Sequence, residues 1–279
     1  MYYLCSHIIK ARMKIREVID ALEHFAPLPL QDSYDNAGLQ VGLTETDVTG
    51  ALLCLDVTEA IVDEAIDRDC NLIIAHHPLI FHPLHRVSDG TYQERCVVKA
   101  ILNGITIYAA HTNLDNAVGG VNYKMADRIG LHDLGWLDAH ENSVADSGSG
   151  VIGTLDVPMT EEAFLDMLRE RFHVECVLHN APVGRRIKYV ALCGGAGAFL
   201  LDKALALGAD AFVTGEMHYH DYFGHEGDLL IAELGHYQSE QFTKQIFRDL
   251  LSEQLPDLRL EMTEIDTNPI NYLYYGKES

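Results

Sequence analysis

The chain has 279 residues, 48% of them hydrophobic, a composition typical of a globular protein with a sizeable core and not of a disordered or fibrous chain. Its 42 acidic residues against 20 basic ones give a formal net charge of −22, so general nucleic-acid binding is not expected. No apolar run approaches the ~20 residues that span a bilayer, and the opening residues lack the apolar core of a secretory signal. We therefore expect a cytoplasmic protein without membrane association.

The beginning of the chain divides into an extension and a helix. From Met13 onward, apolar residues recur at the spacing of an amphipathic helix. Residues 1–12 precede that pattern, and we expect them to be a disordered extension from an upstream start codon.

The six cysteines show no close C-x-x-C pairing. Cys54 and Cys193 lie inside apolar runs, where cysteine acts as a small hydrophobic residue. Neither a disulfide framework nor a thiolate zinc site is expected.

The strongest pattern is an internal repeat of strand, helix and strand. The two copies, at 51–82 and 189–221, align without a gap, so that Cys54 corresponds to Cys193 and Ala65 to Ala204. Strands that alternate with short helices indicate parallel βαβ units. We predict an α/β protein whose two related halves pack around a central cleft. The repeated elements are strands at 51–55, 71–75, 105–110, 189–193, 210–214 and 229–234, with helices at 59–68 and 199–207.

The boundary between the halves is expected between Trp136 and Gly150, where loop-forming residues interrupt the periodicity. We assign residues 13–135 plus 231–279 to the first half and residues 136–230 to the second. The remaining predicted elements are a strand at 153–157, a helix that opens at Thr160, a helix at 239–254 and a terminal strand near 271–275.

Three clusters of metal-ligand side chains follow predicted strands. His76 and His77 are adjacent, and the runs HTNLD at 111–115 and HYQSE at 236–240 each place a histidine four residues before a carboxylate. Nitrogen and carboxylate oxygen together suit first-row divalent metals. Because ligands in open α/β sheets bind beyond the carboxyl ends of strands, we expect the clusters to converge on one cleft that holds two ions.

A single such motif is more often structural, and only the coincidence of three at strand ends favours a metal site.

Two other segments each allow two interpretations. The turn CGGAG at 193–197 suits either an anion cradle or a tight structural turn. The loop residues Glu216, His218, His220 and Asp221 suit either support of the ligands and proton transfer, or a polar loop edge.

An ordered set of motifs carries a family resemblance: YDNAGLQVG at 34–42, AHHPLIF at 75–81, HTNLD at 111–115, TGE at 214–216, YHD at 219–221, and Gly235-His236 through Ser239-Glu240. From about Met13 to the last strand, the chain resembles the Ngg-one interacting factor family, whose members are often called GTP cyclohydrolase I type 2 homologues. Two departures are visible: Tyr34 stands where many relatives have tryptophan, and the long middle insertion of larger members is absent.

The resemblance implies a dinuclear metal centre with His111 close by, in a toroidal homohexamer built as a trimer of dimers. The implied ligands are His76, His77, Asp115, His236 and Glu240. The cofactors would be two divalent ions, and the donor set suits zinc, manganese, iron and nickel alike.

The sequence favours a metal-dependent hydrolase of the GTP cyclohydrolase type, or a phosphoester or amide hydrolase, with catalytic roles for Glu240, His111 and His220. The small-molecule substrate is unknown, and only the family resemblance suggests a GTP-like compound. A triphosphate needs cationic partners, and Arg86 and Lys99 are the only nearby candidates. The competing class is a non-catalytic metal-binding scaffold or regulatory interaction protein. A calcineurin-type phosphoesterase is excluded because its Gly-Asp-x-x-Asp and Gly-Asn-His-Asp motifs are missing.

Overall fold

The fold is built on two β-sheets, seen in a computed structural model that describes residues 12–141, 143–225 and 227–273. The expected extension lies outside these residues, except for the exposed Arg12. Their helices and strands are, in chain order, α1 (Ile15–Phe25), β1 (Gly38–Val41), β2 (Ala51–Cys54), α2 (Glu59–Asp67), β3 (Leu72–Ala75), α3 (Tyr92–Leu102), β4 (Thr106–Ala109), α4 (Thr112–Asp115), α5 (Val121–Ile129), β5 (Leu131–Ala139), β6 (Gly148–Met159), α6 (Glu161–Phe172), β7 (Leu178–His179), β8 (Ile187–Cys193), α7 (Leu201–Ala206), β9 (Ala211–Thr214), β10 (Leu230–Glu233), α8 (His236–Glu240), α9 (Thr243–Gln254) and β11 (Leu260–Met262).

The predicted repeat is confirmed in the strand pairing. The first sheet has the order β1-β4-β3-β2-β11, and the second has the order β5-β6-β8-β9-β10-β7. Strands β2, β3 and β4 are parallel to one another, as are β8, β9 and β10. The registers correspond, since β2 pairs with β3 from Ala51↔Leu72 and β8 pairs with β9 from Val190↔Ala211. Each half also adds an antiparallel strand at one edge, β1 on β4 and β7 on β10, and the second sheet continues on its other side with the antiparallel strands β6 and β5.

Both faces of the parallel strands are covered, which explains their near-continuous hydrophobic runs. In the first sheet, Leu53 and Ile74 belong to the core that includes α1 and α9. Leu52 and Ile73 belong to the core beneath α2 and α3. The second sheet is likewise buried between α5 and α6 on one face and α7 on the other.

The expected boundary at 136–150 is a β-hairpin inside the second sheet, formed by β5 and β6. The glycine at 148 that suggested a loop instead serves close packing, because a Cβ on Gly148 would come 2.6 Å from the Asp138 carbonyl and 2.7 Å from the Trp136 ring. The second sheet therefore begins at Leu131. The second sheet also contains β10, whereas the expected limit between residues 230 and 231 would split this strand between the two halves.

Two further differences concern the last part of the chain. The helix expected at 239–254 is divided into α8 and α9, and at the break the Thr243 hydroxyl donates to the Glu240 carbonyl, 2.7 Å away. The last strand of the first sheet is β11, paired in parallel with β2, whereas residues 271–273 form no strand. Residues 274 and 275 of that expected strand lie outside the described residues.

The described cysteines are free: Cys54, Cys70, Cys96, Cys176 and Cys193. No helix in the described parts of the chain combines the length and hydrophobicity that a bilayer crossing requires.

Candidate metal centre

Three of the loops that follow parallel strands carry the predicted donor side chains into one cluster. His76 and His77 follow β3, and His111 follows β4 in the first sheet, whereas α8 with Glu240 follows β10 in the second. The cluster therefore lies where the carboxyl ends of the two parallel sheets meet. Donor atoms of three overlapping groups come within 4.8 Å of one another: His76 with His77 and His111, His77 with His236 and Glu240, and His76 with Asp115 and Glu240.

Glu240 is the centre of this cluster because each of its oxygens has a separate set of neighbours. Its Oε1 lies 3.8 Å from His76 Nε2, which is in turn 3.6 Å from Asp115 Oδ1. Its Oε2 lies 2.9 Å from His77 Nε2 and 3.0 Å from His236 Nε2. A carboxylate in this position can bridge two cations, one bound by each oxygen.

The histidine rings are held by their other nitrogens. His76 Nδ1 donates to the Ala110 carbonyl at 2.8 Å, and His77 Nδ1 lies 2.7 Å from Asp56 Oδ1. Such bonds fix the orientation of metal-binding imidazoles and direct Nε2 to the ion. His236 Nδ1 is similarly 3.3 Å from a Glu216 oxygen.

Burial and close contact between charged groups shift the pKa of several side chains in the cluster. Burial would raise the pKa of Glu240, yet the adjacent His236 keeps it well below its usual range. Burial, together with the charge of Glu240, raises the pKa of Asp115 well above its usual range. Burial alone would lower the pKa of His77, but its bonds to Asp56 and Glu240 raise it to about 10. A divalent cation would relieve the repulsion between the two carboxylates.

Two buried atoms without hydrogen-bond partners show that these residues fit a metal ion. His76 is fully buried, and burial lowers its pKa, so the ring is neutral with a lone pair on Nε2. Neither this Nε2 nor Asp115 Oδ1 has a hydrogen-bond partner. Unsatisfied buried polar atoms are rare in folded proteins, and here they face each other beside Glu240 Oε1. A metal ion between them would satisfy both.

His111 belongs to a different kind of pair. Its Nδ1 lies 2.7 Å from Oδ1 of Asp35, whose side chain is fully buried. Burial would raise the pKa of Asp35, but its bonds with His111 and Thr112 lower it to about 2. Asp35 therefore stays ionised and directs the other ring nitrogen of His111 towards the cluster.

Comparison with known proteins identifies the family. The model of the family described as Duf34/NIF3 (NGG1p interacting factor 3) matches residues 13–269. The chain belongs to the Duf34/NIF3 family. It is 33% identical to the GTP cyclohydrolase 1 type 2 homolog of Lactococcus lactis, over 92% of this chain and 98% of that relative. It is 30% identical to NIF3-like protein 1 of Drosophila melanogaster, over 92% of this chain and 88% of the relative. The crystal structure of a Staphylococcus aureus protein superposes with a TM-score of 0.85 at 26% identity, covering 94% of this chain and 99% of the other.

In this Duf34/NIF3 chain the glycine turn at 193–197 is held by hydrogen bonds within the protein. Gly195 N donates to Ser239 Oγ and Gly197 N donates to Thr214 Oγ1, each at 3.1 Å, so these amides are already bonded within the protein. The following α7 has six residues and a 3-10 turn before it, Ala198–Leu200. These bonds favour the structural turn over the anion cradle.

The structure does not bring His220 into the cluster of this Duf34/NIF3 chain. Its ring contacts Tyr219 and Phe223 on the exposed segment after β9. His218 is 94% exposed and pairs with Asp221. This segment leaves the cleft because it forms a long loop beyond the strand end.

Asp56 and Asp35 are the residues that sequence reasoning missed. Asp56 follows β2 by two residues, so the strand-end rule that found His76 applies to it equally. Asp35 precedes β1, and its place in the 34–42 motif was the available signal. Both carboxylates act by orienting a histidine, which neither spacing nor composition indicates.

Proposed function

We propose that the chain is a dinuclear metal-dependent hydrolase. Five side chains would hold two divalent ions, and Glu240 would bridge them and fix their spacing. His76 and Asp115 would hold one ion, and His77 and His236 would hold the other. The arrangement of neighbours around the two Glu240 oxygens is the observation that carries this proposal.

Five protein ligands for two ions leave coordination positions open, as in catalytic sites. A cavity of about 210 Å³ adjoins the cluster and is lined by His111, Asp115, His236 and Glu240 among others. Room for a substrate beside incompletely coordinated ions favours catalysis over a purely structural role.

When bound, divalent ions supply Lewis acidity and make water a nucleophile near neutral pH. The side chains of the protein would orient the substrate and transfer the proton of the attacking water. His111, oriented by Asp35, would accept a proton from the attacking water on Nε2 and return it to the leaving group. For a ring substrate, water oxygen bonds to a ring carbon, the carbon–nitrogen bond breaks, and the released nitrogen takes the proton. Imidazole-ring opening of a GTP-like compound, an amide or a phosphoester fits this scheme.

Elemental analysis of the purified protein, followed by a hydrolase screen with and without chelator, tests the proposal. The screen should contain GTP, phosphoesters and small amides. We expect Glu240→Ala to lose metal and turnover together, and His111→Asn to keep the metal but lose about 10²–10⁴-fold in turnover. Stoichiometric metal in Glu240→Ala would contradict the bridge, and full metal without any turnover would favour the non-catalytic scaffold.

We also propose the toroidal homohexamer that the family resemblance implies. The exposed aromatic side chains Tyr219 and Phe223, beside Leu178 on the edge strand β7, offer apolar surface for contacts between copies. Light scattering of the purified chain tests this assembly. A cytoplasmic location likewise stays a prediction.

A further inference from the structure

The cavity beside the metal cluster has exposed aromatic side chains from both halves of the molecule. Tyr34 precedes β1, whereas Phe199 lies between β8 and α7, and each is 65% exposed. Both line the same cavity. Its volume of about 210 Å³ is below the roughly 300–1,000 Å³ of pockets that enclose drug-sized ligands, so it suits a single or fused ring better than a whole nucleotide.

The polar wall of this cavity offers acceptors. Asp32 Oδ2 receives a hydrogen bond from the Tyr34 hydroxyl at 2.9 Å, and Asp32 Oδ1 lies 3.3 Å from Asn116 Nδ2. A carboxylate has about four acceptor positions, so two remain available to a ligand. Asp32 thus lines the cavity together with Tyr34, whose hydroxyl it binds.

Lysine and arginine are absent from the described residues that line the cavity. The imidazole of His236, which is on this wall, is already paired with Glu240, 3.0 Å away. Of the two cations considered for a phosphate, Lys99 is paired with Asp63 at 2.8 Å, and Arg86 lines a separate groove with Phe81. An anionic group in this cavity would meet the carboxylates of Asp32 and Glu240, and the imidazole of His236 is already paired with Glu240.

We propose that the cavity binds a planar, nitrogen-rich ring compound without anionic groups, whose N–H edge bonds Asp32 and whose faces contact Tyr34 and Phe199. The proposal rests on the proposed hydrolase function, because it names the substrate class on which the metal centre would act. Adjacent N–H donors match the two oxygens of a carboxylate, and charge-assisted bonds of this kind are strong. Aromatic side chains stabilise such a ring through stacking or edge contacts.

Calorimetric titration with two ring probes tests this specificity without turnover. The probes are 2-aminobenzimidazole, a fused ring with adjacent N–H groups, and benzoate, a planar anion. Each is titrated into metal-loaded and chelator-treated protein, because bound ions alone can attract an anion. In the chelated protein we expect 2-aminobenzimidazole to bind at least tenfold more tightly than benzoate.

Variants locate the binding. Asp32→Asn should weaken 2-aminobenzimidazole about tenfold, and Tyr34→Leu and Phe199→Leu about threefold each, whereas Tyr34→Trp should retain binding. Asp202→Asn, an exposed carboxylate on α7, is the matched control and should bind as the unmodified protein does. Unfolding curves of each variant separate lost binding from lost folding.

Benzoate binding as tight as that of 2-aminobenzimidazole in chelated protein would overturn the proposal, as would folded Asp32→Asn with unchanged affinity. The unmodified protein gives the first comparison without relying on any variant. Metal content is measured on the same samples. Absence of metal with intact ring binding would refute the hydrolase but leave this specificity standing, whereas loaded metal without ring binding would refute the specificity alone.

Discussion

Gly195 lies directly against the carboxylate of Glu240. A Cβ at position 195 would come 2.4 Å from Glu240 Oε1 and 3.4 Å from His236 Cε1, and the backbone there has a φ of +58°. Glycine is therefore required both by the backbone conformation and by the space that the central carboxylate occupies.

Gly195→Ala should displace Glu240 and weaken metal binding although every ligand is retained. We expect a loss of about 10–100-fold in metal affinity, the size seen when the support of a ligand is disturbed. The matched control is Gly104→Ala, with a φ of +65° and no atom within 4 Å of the added Cβ. It should lose about 1–2 kcal/mol of stability and keep its metal affinity. Equal affinities measured by competitive chelator titration would show that Gly195 does not position Glu240.

A second prediction concerns the carboxylate behind His77. Asp56 holds His77 Nδ1 at 2.7 Å and itself accepts a bond from the Thr267 hydroxyl, also 2.7 Å away. Asp56→Asn keeps the size of the side chain but removes its charge, which weakens the hydrogen bond that orients the His77 ring. We therefore expect metal affinity to fall about 10–100-fold. Asp63→Asn, whose side chain is 57% exposed in its pair with Lys99, should leave affinity unchanged. Metal content after dialysis against graded chelator measures both.

The third prediction separates His236 from His220, since both were assigned to the site from the sequence. His236 Nε2 is 3.0 Å from Glu240, whereas His220 is exposed and contacts Tyr219 and Phe223. We expect His236→Ala to lose at least half of the bound metal and His220→Ala to lose none, as measured by elemental analysis. Reduced metal or turnover in His220→Ala would restore the role that the sequence suggested for it.

There is a geometric reason why the sequence could indicate which donor side chains lie together. Carboxyl ends of parallel strands converge, so donors within a few residues of a strand end, such as His76 and His111, meet without further information. His220 also follows a strand, β9, but five residues intervene, and a segment of that length need not stay at the sheet edge. The same argument would have found Asp56, which was overlooked because a lone aspartate forms no motif.

The fold was predictable where the hydrophobic pattern repeats, and not where close packing between side chains and backbone determines the local structure. Strands β2, β3 and β9 and the second half of β8 were predictable because both of their faces are buried. The hairpin around Gly148 was read as a boundary, because glycine indicates a loop unless its neighbours are known. At the break after Glu240 the Thr243 hydroxyl donates to the Glu240 carbonyl, a local bond that helical periodicity does not show.

Metal binding should stabilise the whole molecule, because the donors come from loops of both sheets. His76 and Asp115 follow strands of the first sheet, whereas His236 and Glu240 follow β10 of the second. A ligand that binds only the folded state at 100 times its Kd adds about 2.7 kcal/mol to the free energy of unfolding, which raises the Tm by roughly 5–10 °C for a chain of this size. Thermal unfolding with added metal and then with excess chelator should show this shift and its reversal. Glu240→Gln should show little of it, while Asp202→Asn should show all of it. A Tm that does not respond to metal in the unmodified protein would mean that the cluster does not join the two halves through a cation.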